Sequence, residues 1–77
     1  MAVRYPRLRD LREDYDMTQT QVAEHLNIKP QQYSRYETGT NDIPTRILIG
    51  LASLFNTSID YLLGMTNNPK PYKDIEE

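Results

Sequence analysis

The sequence predicts an all-α protein, a compact five-helix bundle in one domain over residues 1–64, followed by a C-terminal tail over residues 65–77. Three observations carry that expectation. Apolar residues recur at helical rather than alternating spacing along most of the chain. Residues that start helices (Pro6, Thr18, Pro30, Pro44, Ser58) and residues that end them (Asn27, Gly39, Gly64) punctuate those stretches in order. A chain of 77 residues with 38% hydrophobic and 26% charged side chains suits one small globular domain.

The first helix is expected from Pro6 to Asp14, with Leu8, Leu11 and Tyr15 on one face. Pro6 fits its first turn, where the missing N–H costs nothing. Thr18 is a good N-cap for the second helix, and Gln21, three residues on, completes a capping box. Val22, Ala23 and Leu26 form its buried stripe, and it ends near Asn27, which tolerates the left-handed conformation of a helix exit. Pro30 opens the third helix, Tyr33 and Tyr36 share one of its faces, and Gly39 stops it. Pro44 opens the fourth, whose apolar set is Ile47, Leu48, Leu51, Ala52, Leu54 and Phe55. Ser58 caps a fifth carrying Ile59, Leu62 and Leu63 up to Gly64. The run Asn67-Asn68-Pro69-Lys70-Pro71 and the acidic end read as a tail.

Several chemistries are excluded early. The absence of cysteine removes disulfides, thiolate nucleophiles and Cys-based metal sites, and His25 alone cannot make a histidine cluster, so no metal or cofactor is expected. His25 is expected on the partly exposed side of the second helix, without partner chemistry. Glu13 and Asp14 are adjacent and diverge on a helix, Ser34 lacks a nucleophile motif, and Gly39, Gly50 and Gly64 form no phosphate-cradling loop. No catalytic residue is therefore assigned. The start of the chain lacks a secretory apolar run, and the stretch from Ile47 to Phe55 is far shorter than the ~20 residues of a membrane helix. The expected location is the cytoplasm.

Net charge of −2 weighs against a nucleic-acid binder, because phosphate contacts need Lys and Arg. The distribution softens the objection. Residues 1–36 hold six basic groups (Arg4, Arg7, Arg9, Arg12, Lys29, Arg35) against five acidic ones (Asp10, Glu13, Asp14, Asp16, Glu24). The acidic excess lies further on, with Asp74, Glu76 and Glu77 near the C-terminal end.

The second and third helices are joined by only Asn27-Ile28-Lys29. A link this short forces a steep crossing and marks a helix-turn-helix unit. One face of the later helix is then left outside the bundle, free to enter a major groove.

Three stretches carry a wider likeness: Met17-Thr18-Gln19-Thr20-Gln21-Val22-Ala23, Tyr33-Ser34-Arg35-Tyr36-Glu37-Thr38-Gly39, and Ile43-Pro44 through Ser58-Ile59-Asp60-Tyr61-Leu62-Leu63-Gly64. With them the chain resembles the lambda-repressor-like, Cro/repressor-type helix-turn-helix family (the xenobiotic-response-element family) from about Leu8 to Pro69. The resemblance implies double-stranded DNA as partner. It makes Gln19 a phosphate contact and places Gln31, Gln32 and Arg35 at outward positions of the recognition helix. Gln31 and Arg35, four apart, project from one face and suit adenine and guanine edges. Gln32 and Thr38 match positions that touch backbone, and Arg12 and Glu37 match a structural ion pair. The chain departs from the pattern at Lys29, a cap position that it cannot fill but from which it can reach a phosphate. It departs again at Asn27, where Gly is common, and at Pro30, where some relatives carry a base reader.

Other roles compete for the same residues. Tyr33 and Tyr36 can stack on bases, but their spacing with Ile28 favours the core. Arg12 can meet phosphate, but the ion pair is preferred. The leading functional expectation is a sequence-specific transcriptional regulator, a small repressor that binds an inverted-repeat operator as a homodimer. Its dimer contacts are expected around Asn56, Thr57 and Ile59. The alternative is a protein-interaction module of the same fold, antitoxin or anti-repressor-like, favoured by the acidic charge. In that case Tyr72 and Ile75 form a docking face for a protein partner if the tail turns helical.

Overall fold

A computed structural model of the chain describes residues 5–71. Among these residues it has helices α1 (Pro6–Asp14), α2 (Gln19–Leu26), α3 (Pro30–Thr38), α4 (Thr45–Leu54) and α5 (Ile59–Leu62), and no strand. None of the helices is long and apolar enough to cross a membrane. The expected docking face at Tyr72 and Ile75 lies outside the described residues.

Local chemistry sets the boundaries. The Thr18 hydroxyl accepts from the Gln21 N–H at 3.1 Å, and Gln21 Oε1 accepts from the Thr18 N–H at 2.9 Å, which closes the capping box of α2. Asn27 leaves that helix in the left-handed region, with φ 61°. Gly39 does the same for α3, with φ 81°. Ser58 Oγ accepts from the Tyr61 N–H at 3.1 Å and starts α5.

Two ends differ from the sequence expectation. Pro44 is the N-cap of α4 rather than its first residue, because its extended ψ of 153° is not helical. The last helix closes at Leu62, with Leu63 as C-cap and Gly64 beyond it at φ 79°.

The core joins Tyr5, Leu8, Val22, Ala23, Tyr33, Tyr36, Ile43, Ile47, Leu51, Phe55 and Leu62. Each of the larger side chains contributes about 1.5–3 kcal/mol by leaving water. Tyr33 and Tyr36 are core residues, as their spacing implies. α2 packs on α3 and α4, while α1 packs on α3 and α5. Polar contacts reinforce these joins. Tyr5 Oη accepts from the buried Ile43 N–H at 3.0 Å, and Tyr15 Oη donates to the Phe55 carbonyl at 2.9 Å. Arg7 lies over the Tyr61 ring, 4.2 Å from its centre, and donates to the Thr66 carbonyl and to Asn67 Oδ1 at 2.6 Å. The first residues after α5 are thus held against α1.

One expected surface residue is buried. Thr57, placed by sequence at a dimer contact, is only 5% exposed. Its N–H bonds back to the Ala52 carbonyl at 2.9 Å, and its Oγ1 is buried without a hydrogen-bond partner. That turn carries the side chain inward, while at the same α4–α5 corner Asn56 is exposed and Ile59 half-buried.

Candidate nucleic-acid interface

The site is built on the α2–α3 pair. The left-handed Asn27 reverses the chain, and the Ile28 N–H returns to the Ala23 carbonyl at 3.0 Å. Lys29 then takes the extended N-cap conformation of α3 without a side-chain cap bond, and Pro30 follows at the first helical position. The ammonium of Lys29 carries no acceptor and cannot cap the helix N–H groups, and the residue is exposed.

The inner side of α3 is held by Glu37, which is 9% exposed. Its carboxylate accepts four hydrogen bonds: from Arg12 Nε at 2.6 Å, Arg12 Nη2 at 3.3 Å, Tyr33 Oη at 2.6 Å and Gln19 Nε2 at 3.0 Å. Arg12 also donates to the Met17 carbonyl at 3.0 Å. The expected Arg12–Glu37 pair is present, and it ties α1, α2 and α3 together. Burial pushes the Glu37 carboxyl upward, but the bonds from Arg12, Tyr33 and Gln19 outweigh that push and hold it below the usual carboxylate value. The bond to Glu37 raises Arg12, against some loss of solvation. Burial, and then the same carboxylate, hold the Tyr33 phenol far above its ordinary range.

The outer side of α3 opens into a groove lined by Lys29, Gln31, Gln32, Arg35, Tyr36, Asn41 and Asp42. Gln31, Arg35 and Lys29 are exposed, so two cations and one amide face solvent together. Gln32 is half-buried, and its Nε2 donates to Tyr36 Oη at 2.9 Å.

The other candidates lie elsewhere. Gln19, half-buried at the start of α2, has its amide on Glu37 rather than in the groove. Thr38 is exposed at the end of α3, where its hydroxyl bonds to the Arg35 carbonyl at 3.2 Å and shares a 2.8 Å hydrogen bond with Thr40. Sequence reasoning missed Asn41 and Asp42, which read as ordinary loop residues. The return of the Asn41 N–H to the Arg35 carbonyl, at 3.2 Å, helps bring that loop beside the helix. Among the described residues no group of acidic, histidine or cysteine side chains could hold a metal ion.

The comparison with protein families agrees with this geometry. The helix-turn-helix family model matches residues 8–62. Among curated relatives, the uncharacterized HTH-type transcriptional regulator YobD of Bacillus subtilis (strain 168) is 40% identical over 84% of this chain and 58% of its own length. The HTH-type transcriptional regulator ImmR of the same strain is 43% identical over 75% of this chain and 46% of its own length. Antitoxin PezA of Streptococcus pneumoniae serotype 4 is 30% identical over 90% of this chain and 44% of its own length. The chain thus spans about half the length of these relatives. No solved structure matches it significantly.

Proposed function

The chain belongs to the helix-turn-helix family of Cro/repressor type, and on that premise we propose that it regulates transcription by binding double-stranded DNA at a specific sequence. The observation that carries the reading is the pairing of two sides of one helix. The outer side of α3 presents Gln31, Arg35 and Lys29 in one open groove, while the inner side is clamped by Glu37. A rigid helix with exposed fork-shaped donors is what direct readout requires. In this proposal Arg35 makes a two-point contact with guanine and Gln31 with adenine. Lys29 and Gln19 hold phosphate at the flanks, and Thr38 meets the backbone at the end of the helix.

A single module of this kind buries only about 600–1,000 Å² on DNA. Tight binding therefore calls for two copies on an inverted repeat, with half-sites ~34 Å apart. The α4–α5 corner, at Asn56 and Ile59, is the proposed contact between copies, and occupation of the operator by such a pair represses by exclusion.

Titration of two variants tests the assignment. Arg35→Ala is expected to lose about 5- to 150-fold on the best operator and to relax preference at one base pair. Lys29→Ala is expected to weaken all duplexes alike and to lower the salt slope by about one unit. Equal losses on operator and random duplex for Arg35→Ala would make Arg35 a phosphate contact and overturn the reading.

The antitoxin relative and the net charge of −2 favour a second reading, a protein-interaction module acting mainly on another protein. Salt dependence of binding to bulk duplex separates the two, since only the first predicts a steep decline.

A further inference from the structure

We propose that Gln32 reads a base edge rather than a phosphate, and that the hydroxyl of Tyr36 positions it to do so. The inference rests on the DNA-binding reading above and extends it, giving α3 a third base-reading side chain where the resemblance assigns only a backbone contact.

The Tyr36 ring belongs to the core and the residue is 2% exposed, so its hydroxyl is a fixed point at the base of the groove. Gln32 Nε2 donates to that hydroxyl at 2.9 Å, and Gln32 itself is half-buried. The amide is therefore held rather than swinging free in water, and the rotamer entropy that a contact would otherwise cost is already lost before DNA arrives.

What remains after that bond decides the ligand. The amide nitrogen carries two hydrogens, so one N–H and the carbonyl Oε1 stay available, a donor beside an acceptor. A phosphate oxygen only accepts. It would use the N–H and leave Oε1 close to an anionic oxygen. The major-groove edge of adenine offers an N6–H donor beside the N7 acceptor, the complement of what Gln32 has left. Placement agrees with chemistry. Gln32 follows Gln31 directly and lies three residues before Arg35, and all three line the same groove. Pro30, at the first position of α3, has no polar side chain for a base, and Gln32, two residues further in, supplies a reader that Pro30 cannot.

The test selects bound duplexes from a random pool with the full chain and with Gln32→Ala, Tyr36→Phe, Gln32→Glu and the Gln32→Ala/Tyr36→Phe double variant. Removing Gln32 should erase the adenine preference at one position, a loss of about 5- to 150-fold there, with unchanged affinity for random duplex. Tyr36→Phe keeps the ring in the core and should weaken the same position, and the double variant should be no worse than Gln32→Ala. Gln32→Glu should move that position toward cytosine, whose N4 amino group donates to a carboxylate, a change of preference that a merely structural role would not produce. If Gln32→Ala weakens all duplexes alike and lowers the salt slope by about one unit, Gln32 holds phosphate and the proposal fails. An unchanged preference in a folded Tyr36→Phe variant would overturn the positioning role. If the unaltered chain enriches no motif, the DNA-binding reading fails first and Gln32 with it. Because Gln32→Ala removes a side chain from the groove and not from the core, its result stands even if Tyr36→Phe fails to fold.

Discussion

Replacing Arg12 by Met removes the guanidinium from the buried carboxylate that joins the first three helices. In the native protein Arg12 gives Glu37 two bonds, at 2.6 and 3.3 Å, and the two side chains are 14% and 5% exposed. Breaking a buried pair by deleting one partner costs about 3–5 kcal/mol, because the remaining charge loses its compensation. Tyr33 and Gln19 still donate to Glu37 in the variant, which places the expected loss near the lower end, ~3 kcal/mol at pH 7. For a domain of this size that is a large part of a total stability of roughly 4–12 kcal/mol. It corresponds to a fall in melting temperature on the order of 12–24 °C. The pH dependence is the sharper readout. With its folded value held low, Glu37 stabilises the native protein above the unfolded carboxylate pKa of about 4.3, and the contribution is lost as pH falls through the folded value. Without Arg12 the foremost of the bonds that hold the carboxyl down is gone, burial is opposed only by Tyr33 and Gln19, and the Glu37 carboxyl moves upward. The variant therefore loses less than the native protein as the carboxyl protonates. The gap between the two proteins should narrow as pH falls through the native Glu37 value, and the Arg12→Met/Glu37→Gln double variant should regain much of the loss at pH 7. Urea titration followed by circular dichroism at each pH measures this. A loss below about 1 kcal/mol that stays flat with pH would refute the reasoning that the charge is desolvated.

Three further changes probe the frame around the site. Tyr5→Phe strips the acceptor from the buried Ile43 N–H and should cost about 1–3 kcal/mol, with the same urea assay as the check. Thr18→Ala opens the capping box of α2 and should cost about 0.5–2 kcal/mol, and loss of exchange protection confined to the first turn of α2 would accompany it. Gly64→Ala meets no atom within 4 Å, so any loss comes from the backbone φ of 79° alone, about 1 kcal/mol, and an unchanged melting temperature would contradict it.

Much of this fold is decided within a few residues of chain. The Thr18–Gln21 box, the Ser58 cap, the left-handed exits at Asn27 and Gly39 and the prolines at 6 and 30 act across one turn or less, so residue type and spacing were enough to place four of the five helices closely. The Arg12–Glu37 pair was legible only through the family resemblance, because nothing local links residues 25 apart. The three-residue link between α2 and α3 likewise implied which face of α3 stays outside.

Other features were decided only when the helices crossed. Nothing near Glu37 in sequence marks it as the acceptor of four hydrogen bonds, because two of its three partners, Arg12 and Gln19, come from α1 and α2. The Tyr5 hydroxyl meets an N–H 38 residues away, and the Arg7 guanidinium meets a carbonyl 59 residues away. Thr57 reads as a polar turn residue, and the backbone bond to Ala52 turns it inward. The groove itself depends on the Asn41–Asp42 loop folding back beside Arg35. Caps and turns are set by short-range sterics and by single hydrogen bonds between neighbours in the chain. The partners of long polar side chains are set by interhelical angles, which follow from how Leu8, Tyr33, Leu51 and Phe55 fill one shared core.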